Sequence, residues 1–357
     1  MNLRNRIFYI LLILPIMLVS SQALLAQQVC TQTLKDARVI YEEGRFHELP
    51  ILLKDCINSG FTTDEKVEAY KLLTISYIYL DQLEDADQAM LNLLRTDPEF
   101  VMNELVEPTE FIILYKTFRT WPILRLGGRI GANYSLINIQ ANNAANDGNN
   151  SDLQGKYLQK LGFQASVVLE ILLNDRMSIN PELHFTNRNF DYSSDLFQNE
   201  DGTLVSSQSF LERQSWIELP ILFTYNFNVS KRWYPYISAG LSGGMLVRND
   251  IQSTREITGT QAVREQTLNF KNAGRNSWNL SVVGSVGLKY KFGRGYLVFD
   301  ARYSHGLTSI SDAQNILNAN PEYFFDYYGP YHDFKINNAI FSTGYLLNIY
   351  KPKKLRK

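Results

Sequence analysis

Glu170, Glu182, Glu218 and Asp300 each stand between apolar or aromatic neighbours, and so do Arg125, Lys289 and Arg302; Arg129 lies between Gly128 and Ile130. Charges set singly into apolar sequence can face one another only out of bulk water, where an unpaired ion costs several kcal/mol. These eight residues therefore predict a charge network. One form is a salt-bridged plug with Arg129 and Arg302 opposite Glu182 and Glu218; the other is a narrow pore or proton path lined by the same groups. Nucleophilic catalysis would need a His, a hydroxyl and an orienting carboxylate on one face. Ser304 and His305 are adjacent, so on a strand they point opposite ways. His184 shares a face with Glu182 and Thr186, but no Ser nucleophile lies nearby, and His332 stands beside Asp333. The sequence has no metal-ligand spacing, P-loop or nucleotide fingerprint. The expectation is no catalytic residue, no metal and no cofactor.

The elements that must position these charges are strands. In Asn279–Phe292 one face reads Leu280, Val282, Gly284, Val286, Leu288, Tyr290, Phe292, and the other Asn279, Ser281, Val283, Ser285, Gly287, Lys289, Lys291. That alternation sends one side to an apolar medium, and the length suits a tilted strand crossing a bilayer. The pattern recurs in Leu124–Leu136, Leu161–Leu172, Ser178–Phe190, Gln214–Phe227, Tyr234–Leu246, Tyr296–Ser304 and Asn338–Tyr350. Short turns at 174–176, 228–232 and 293–295 alternate with polar stretches at 141–156, 191–211, 248–275 and 308–335, read as long loops. About eight antiparallel strands with segregated loop lengths are the pattern of an outer-membrane barrel. Aromatic residues collect toward the ends: Phe227, Trp233, Tyr234, Tyr290, Phe292 and Tyr345 at the short-turn rim, Tyr134 and Trp278 at the other.

On this pattern, and on strings such as Ile217-Glu218-Leu219-Pro220 and Tyr303-Ser304-His305-Gly306, residues 121–350 resemble the small outer-membrane barrels of the OmpA/OmpX and PorT-like kind. The resemblance implies residence in the outer membrane of a Gram-negative cell, with lipid as one partner. It places the short turns, the N-terminal domain and the C-terminus in the periplasm. The PorT-like likeness implies an accessory role in secretion or envelope assembly. A narrow-pore transporter and a lipid-modifying enzyme are the alternatives. The basic tail, 351–357, is a departure, since such barrels often end on the aromatic residue itself.

Residues 1–26 read as a signal peptide: Arg4 and Arg6, an apolar run from Ile7 to Val19, then Ala26. The residues before Cys30 lack the small side chains of a lipidation site. Cys30 and Cys56 fall on successive predicted helices of an exported chain, so a disulfide is expected, with two free thiols as the alternative. Residues 27–120 carry helical periodicity and form the first domain. Within 31–120, 17 Asp and Glu against 9 Lys and Arg give a net charge of −8. A surface of that sign repels phosphates, so no nucleic-acid partner is expected. Thr63-Asp64-Glu65 marks a helix start and Gly44 a stop. Tyr70, Leu73, Tyr77, Ala86 and Pro98 stand at the spacing of a tetratricopeptide repeat, which this segment resembles. The resemblance implies a concave surface that docks a periplasmic or envelope protein through residues 31–118. A compact helical domain without a ligand is the alternative. The whole is thus an α+β multidomain chain, TPR-like helices followed by an eight-stranded antiparallel transmembrane β-barrel.

Overall fold

The computed structural model describes residues 28–142, 155–198, 204–227, 229–230, 232–257, 263–269, 274–311 and 332–355. The expected signal peptide, the loop around Asn149-Asn150-Ser151 and most of the last long loop lie outside them. The chain divides into two compact units: Ile123–Ile349, and Met1–Pro122 together with Tyr350–Lys357. The tail read as a separate element thus belongs to the helical unit. Lys354 bonds Asp87 (2.5 Å), the Tyr350 hydroxyl donates to Glu99 (2.9 Å), and Phe118 forms a β-bridge with Lys354.

Among the described residues the larger unit has nine strands: β1 (Leu124–Asn142), β2 (Lys156–Leu172), β3 (Met177–Gln198), β4 (Leu204–Asn226), β5 (Trp233–Ile257), β6 (Val263–Asn269), β7 (Trp278–Phe292), β8 (Gly295–Gly306) and β9 (His332–Ile349). Eight of them pair antiparallel with their neighbours, in the order β1, β2, β3, β4, β5, β7, β8, β9. The β1–β9 ladder, from Leu124↔Ile349 to Asn142↔His332, closes the ring. Closure leaves the eight-stranded ring without a first or last edge, which is what a sheet needs where no water can satisfy one. The ninth strand, β6, pairs only with the far end of β5, from Asp250↔Asn269 to Glu256↔Val263.

Alternation governs exposure. On β7 the residues Leu280, Val282 and Val286 face outward while Val283, Ser281, Ser285 and Lys289 are buried. Strands β2 and β4 behave likewise, with Leu161, Phe163 and Val167, and Ile217, Leu219, Ile221 and Phe223, turned out. Two expectations are corrected. Stretches 191–211 and 248–275 are not simply loops. Strands β3 and β4 continue to pair from Asp191↔Leu211 to Gln198↔Leu204, leaving five residues between them, and β5 runs on to Ile257. Pairing persists there with Tyr192, Phe210 and Ile251 buried on the inward face, which gives the extended ladder an apolar side to pack. Tyr234 does not join the aromatic rim either. It shares parity with the buried Tyr236 and packs inward against Tyr296 (centroids 5.5 Å apart).

The helical unit comprises α1 (residues 28–42), α2 (Leu49–Asn58), α3 (Thr63–Tyr79), α4 (Leu83–Thr96) and α5 (Thr109–Lys116). Gly44, at φ 73°, turns the chain out of α1. Pro50 sits in the first turn of α2, where its missing N–H is no loss and its fixed φ suits the helix start. The cap of α3 is Thr62, one residue before the predicted signal: its hydroxyl accepts from the Glu65 N–H and Glu65 accepts from the Thr62 N–H (2.8 Å), a capping box. A disulfide joins Cys30 on α1 to Cys56 on α2 across a Cα separation of 5.5 Å. No described helix is long and apolar enough to cross a membrane.

Candidate functional site: the ionic interior of the strand ring

Ascending β3 from its short turn, the inward residues are Ser178, Asn180, Glu182, His184, Thr186, Arg188 and Phe190, all buried. They mark successive levels of the interior. At the lowest, the Lys289 ammonium donates to Glu170 (2.6 Å) and to Asn226 (2.8 Å). Arg125 and the Ser178 hydroxyl donate to the same Glu170 oxygen (2.9 and 3.0 Å). The Arg125 guanidinium also lies 4.6 Å from the centre of the Tyr296 ring, a cation–π contact. Tyr236, whose ring occupies the space that a side chain on the facing Gly287 would fill, donates its hydroxyl to Asp300 (2.7 Å).

One level up, Glu182 is held by Arg129 and by Arg302, the latter through Nη1 at 2.9 Å, and bonds His184 Nε2 at 2.6 Å. Asp300 completes the group, 3.2 Å from Arg302 Nε and 3.5 Å from Arg129. Above it Glu218 pairs with Arg188 and accepts from the Thr186 hydroxyl (2.8 Å). With its amide oxygen toward Arg188, Asn338 accepts from the guanidinium at 2.9 and 3.0 Å and donates to Ser135 (2.7 Å). At the far end Arg275 forks onto Glu212 at 2.9 and 2.8 Å, and Gln214 links Glu212 to the Trp216 indole. Trp216, Phe190, Phe334 and Ile310 pack this end closed.

The structure therefore brings all eight predicted ions into the interior, but divides them among levels. Glu218 does not meet Arg129 or Arg302; its partner is Arg188, which the sequence reading left out. Period-two parity with Glu182 was enough to find Arg188. Arg275 closes the stretch 248–275 expected as a loop, and Glu212 falls between the expected loop 191–211 and the expected strand Gln214–Phe227, so neither has a parity to place it. A cavity between His184, Glu218, Arg302 and Asn338 measures about 10 Å³, room for roughly one water. No group of His, Cys, Asp or Glu that could hold a metal occurs among the described residues. His305 and the Ser304 hydroxyl lie on opposite faces, Ser304 inward, and His332 bonds Tyr157 (3.1 Å) among aromatic rings at the far end.

Of the TPR-like positions, Leu73 and Ala86 are buried in the helical core and Pro98 follows the end of α4. Tyr70 and Tyr77 are half-buried and pack on the core.

Comparison with known proteins gives the following. Among solved structures, similar chains include the attachment invasion locus protein Ail of Yersinia pestis (12% identity, 63% of this chain and 99% of that one, TM-score 0.27). The outer membrane protein OprG of Pseudomonas aeruginosa is 11% identical over 64% of this chain and 95% of that one, with a TM-score of 0.27. The outer membrane protease OmpT of Escherichia coli is 8% identical over 63% and 95%, with a TM-score of 0.29. Scores this low carry no function across. No curated protein matches the chain. Residues 123–312, more than half of the 357, match the family model described as outer membrane protein beta-barrel domain. With the closed ring of eight strands, its apolar exterior and its paired interior ions, the chain belongs to that outer-membrane β-barrel family.

Proposed function

We propose that the barrel is a sealed membrane anchor and that the helical unit is the working end, an adaptor that docks envelope or secretion-machinery proteins in the periplasm. The observation that carries this reading is the interior. Glu170, Glu182, Glu218 and Glu212 each engage a cation, at successive heights, so the lumen is filled rather than open. A filled lumen argues against a permeant solute and supports anchoring and docking. The short turns, the N-terminal unit and the C-terminus then lie on the periplasmic side, as in barrels with short periplasmic turns.

Tyr70 and Tyr77 pack on the helical core, so exposed side chains carry the contact. Exposed apolar side chains on α2, α4 and α5 include Ile51, Leu83 and Ile113, and Tyr79 on α3 is half-exposed over the Phe46 ring. A photo-crosslinker at Tyr79 or Ile113 in intact cells should capture a discrete envelope protein, and the same probe at Ile237 on the barrel exterior should not. Failure of every helical-unit position to yield a protein adduct would overturn the adaptor reading.

A further inference from the structure

The three short connections of the barrel carry an unbalanced charge. Arg176, Lys231, Arg232 and Arg294 stand against the single acid Asp175. The three arginines are exposed, and among the described residues none of them forms an ion pair. Hydrogen bonds hold them on one rim. The Arg176 carbonyl accepts from the Asn226 N–H (2.7 Å), the Arg232 carbonyl from Lys291 (2.8 Å), and the Arg294 carbonyl from Asn348 (3.2 Å). Immediately inside this ring of charge lie aromatic pairs. Trp233 and Tyr290 are in contact at 4.6 Å between centroids, Tyr225 and Phe227 at 5.0 Å. Aromatic rings of this kind settle at headgroup depth. The guanidinium groups one step beyond them are therefore level with lipid phosphates, which a planar, always-charged fork binds well.

We propose that this rim is a binding belt for anionic phospholipid headgroups of the periplasmic leaflet, with Arg176, Arg232 and Arg294 as its contacts. The leaflet rests on the orientation given above; the preference for anionic headgroups does not. A basic side chain near a membrane surface favours an anionic lipid by up to about fivefold.

The test reconstitutes the full chain in phosphatidylcholine bilayers and compares spin-labelled phosphatidylglycerol with spin-labelled phosphatidylcholine at the protein boundary. The wild type should select phosphatidylglycerol by a few-fold. The selectivity should vanish in ~1 M salt, where the Debye length is about 3 Å, and in the triple variant Arg176→Gln/Arg232→Gln/Arg294→Gln. Heat-modifiable migration of the variant on gels reports that its barrel still closes, and the salt arm needs no variant. Equal association of the two lipids with the wild type, or selectivity that survives both salt and the triple variant, overturns the belt. Reaction of the Ser230→Cys variant with an impermeant maleimide in intact cells overturns only the periplasmic assignment, so the two failures are distinct.

Discussion

Glu182 is the residue on which the interior turns. Its two oxygens take Arg129, Arg302 and His184, so two permanent cations depend on one carboxylate. Replacing it by Gln keeps the volume and removes the charge, leaving Asp300 alone to answer both guanidinium groups. Breaking a buried pair by neutralising one partner typically costs about 3–5 kcal/mol. Glu182→Gln should lower the unfolding free energy of the barrel in lipid vesicles by about that amount in a denaturant titration. A loss under about 1 kcal/mol would mean that the network is hydrated rather than sealed. Much of this was legible from residue type and parity alone, because an ion flanked by apolar neighbours on a strand has one face to go to. What parity could not supply was partner choice. Glu218 reaches Arg188 rather than Arg129 because the register sets His184, not Glu182, opposite it.

Elements show the opposite balance. Where strands cross an apolar medium, the period of two is sharp and their cores were readable. Beyond that zone it fades. Strand β5 has 25 residues, about 80 Å at ~3.3 Å each, whereas a bilayer needs roughly 9–11. The excess has the look of loop in the sequence because polar residues dominate it and apolar ones such as Ile251 stand singly. In the helical unit the local signals were closer to sufficient, displaced by a residue. The capping box of α3 also ties to α1, since the Thr31 hydroxyl donates to Glu65 (2.7 Å). That bond, then the Thr62 N–H, holds the Glu65 carboxyl below the usual carboxylate range. With the folded value depressed, the stabilisation is complete above the unfolded pKa of about 4.3 and is lost as pH falls through the folded value. It is small, since the group is well solvated. Thr62→Ala should cost α3 about 1 kcal/mol, seen as an earlier loss of the helical circular-dichroism signal on heating. Thr31→Ala should return the Glu65 pKa toward its ordinary value in an NMR titration. An unchanged Glu65 titration in Thr31→Ala would remove the α1–α3 tie from the account.

For the molecule as a whole, the deciding property is whether anything passes through it. An eight-stranded ring is only wide enough for its side chains to fill. Here they fill it with ion pairs at several heights, and the space between Glu218 and Arg302 is of one-water size. A permeating ion would have to separate at least one pair at each height. Each separation exposes an uncompensated charge at a cost of several kcal/mol, and the penalties accumulate along the path. Screening by bulk salt does not relieve them, because buried pairs are screened far less than exposed ones. The pure, folded chain in a planar bilayer should therefore show no steady conductance at any salt concentration. A stable, ohmic current that scales with salt would mean that the levels part together. The adaptor reading would then give way to a transporter whose selectivity is written in Glu182, Arg302 and Asp300.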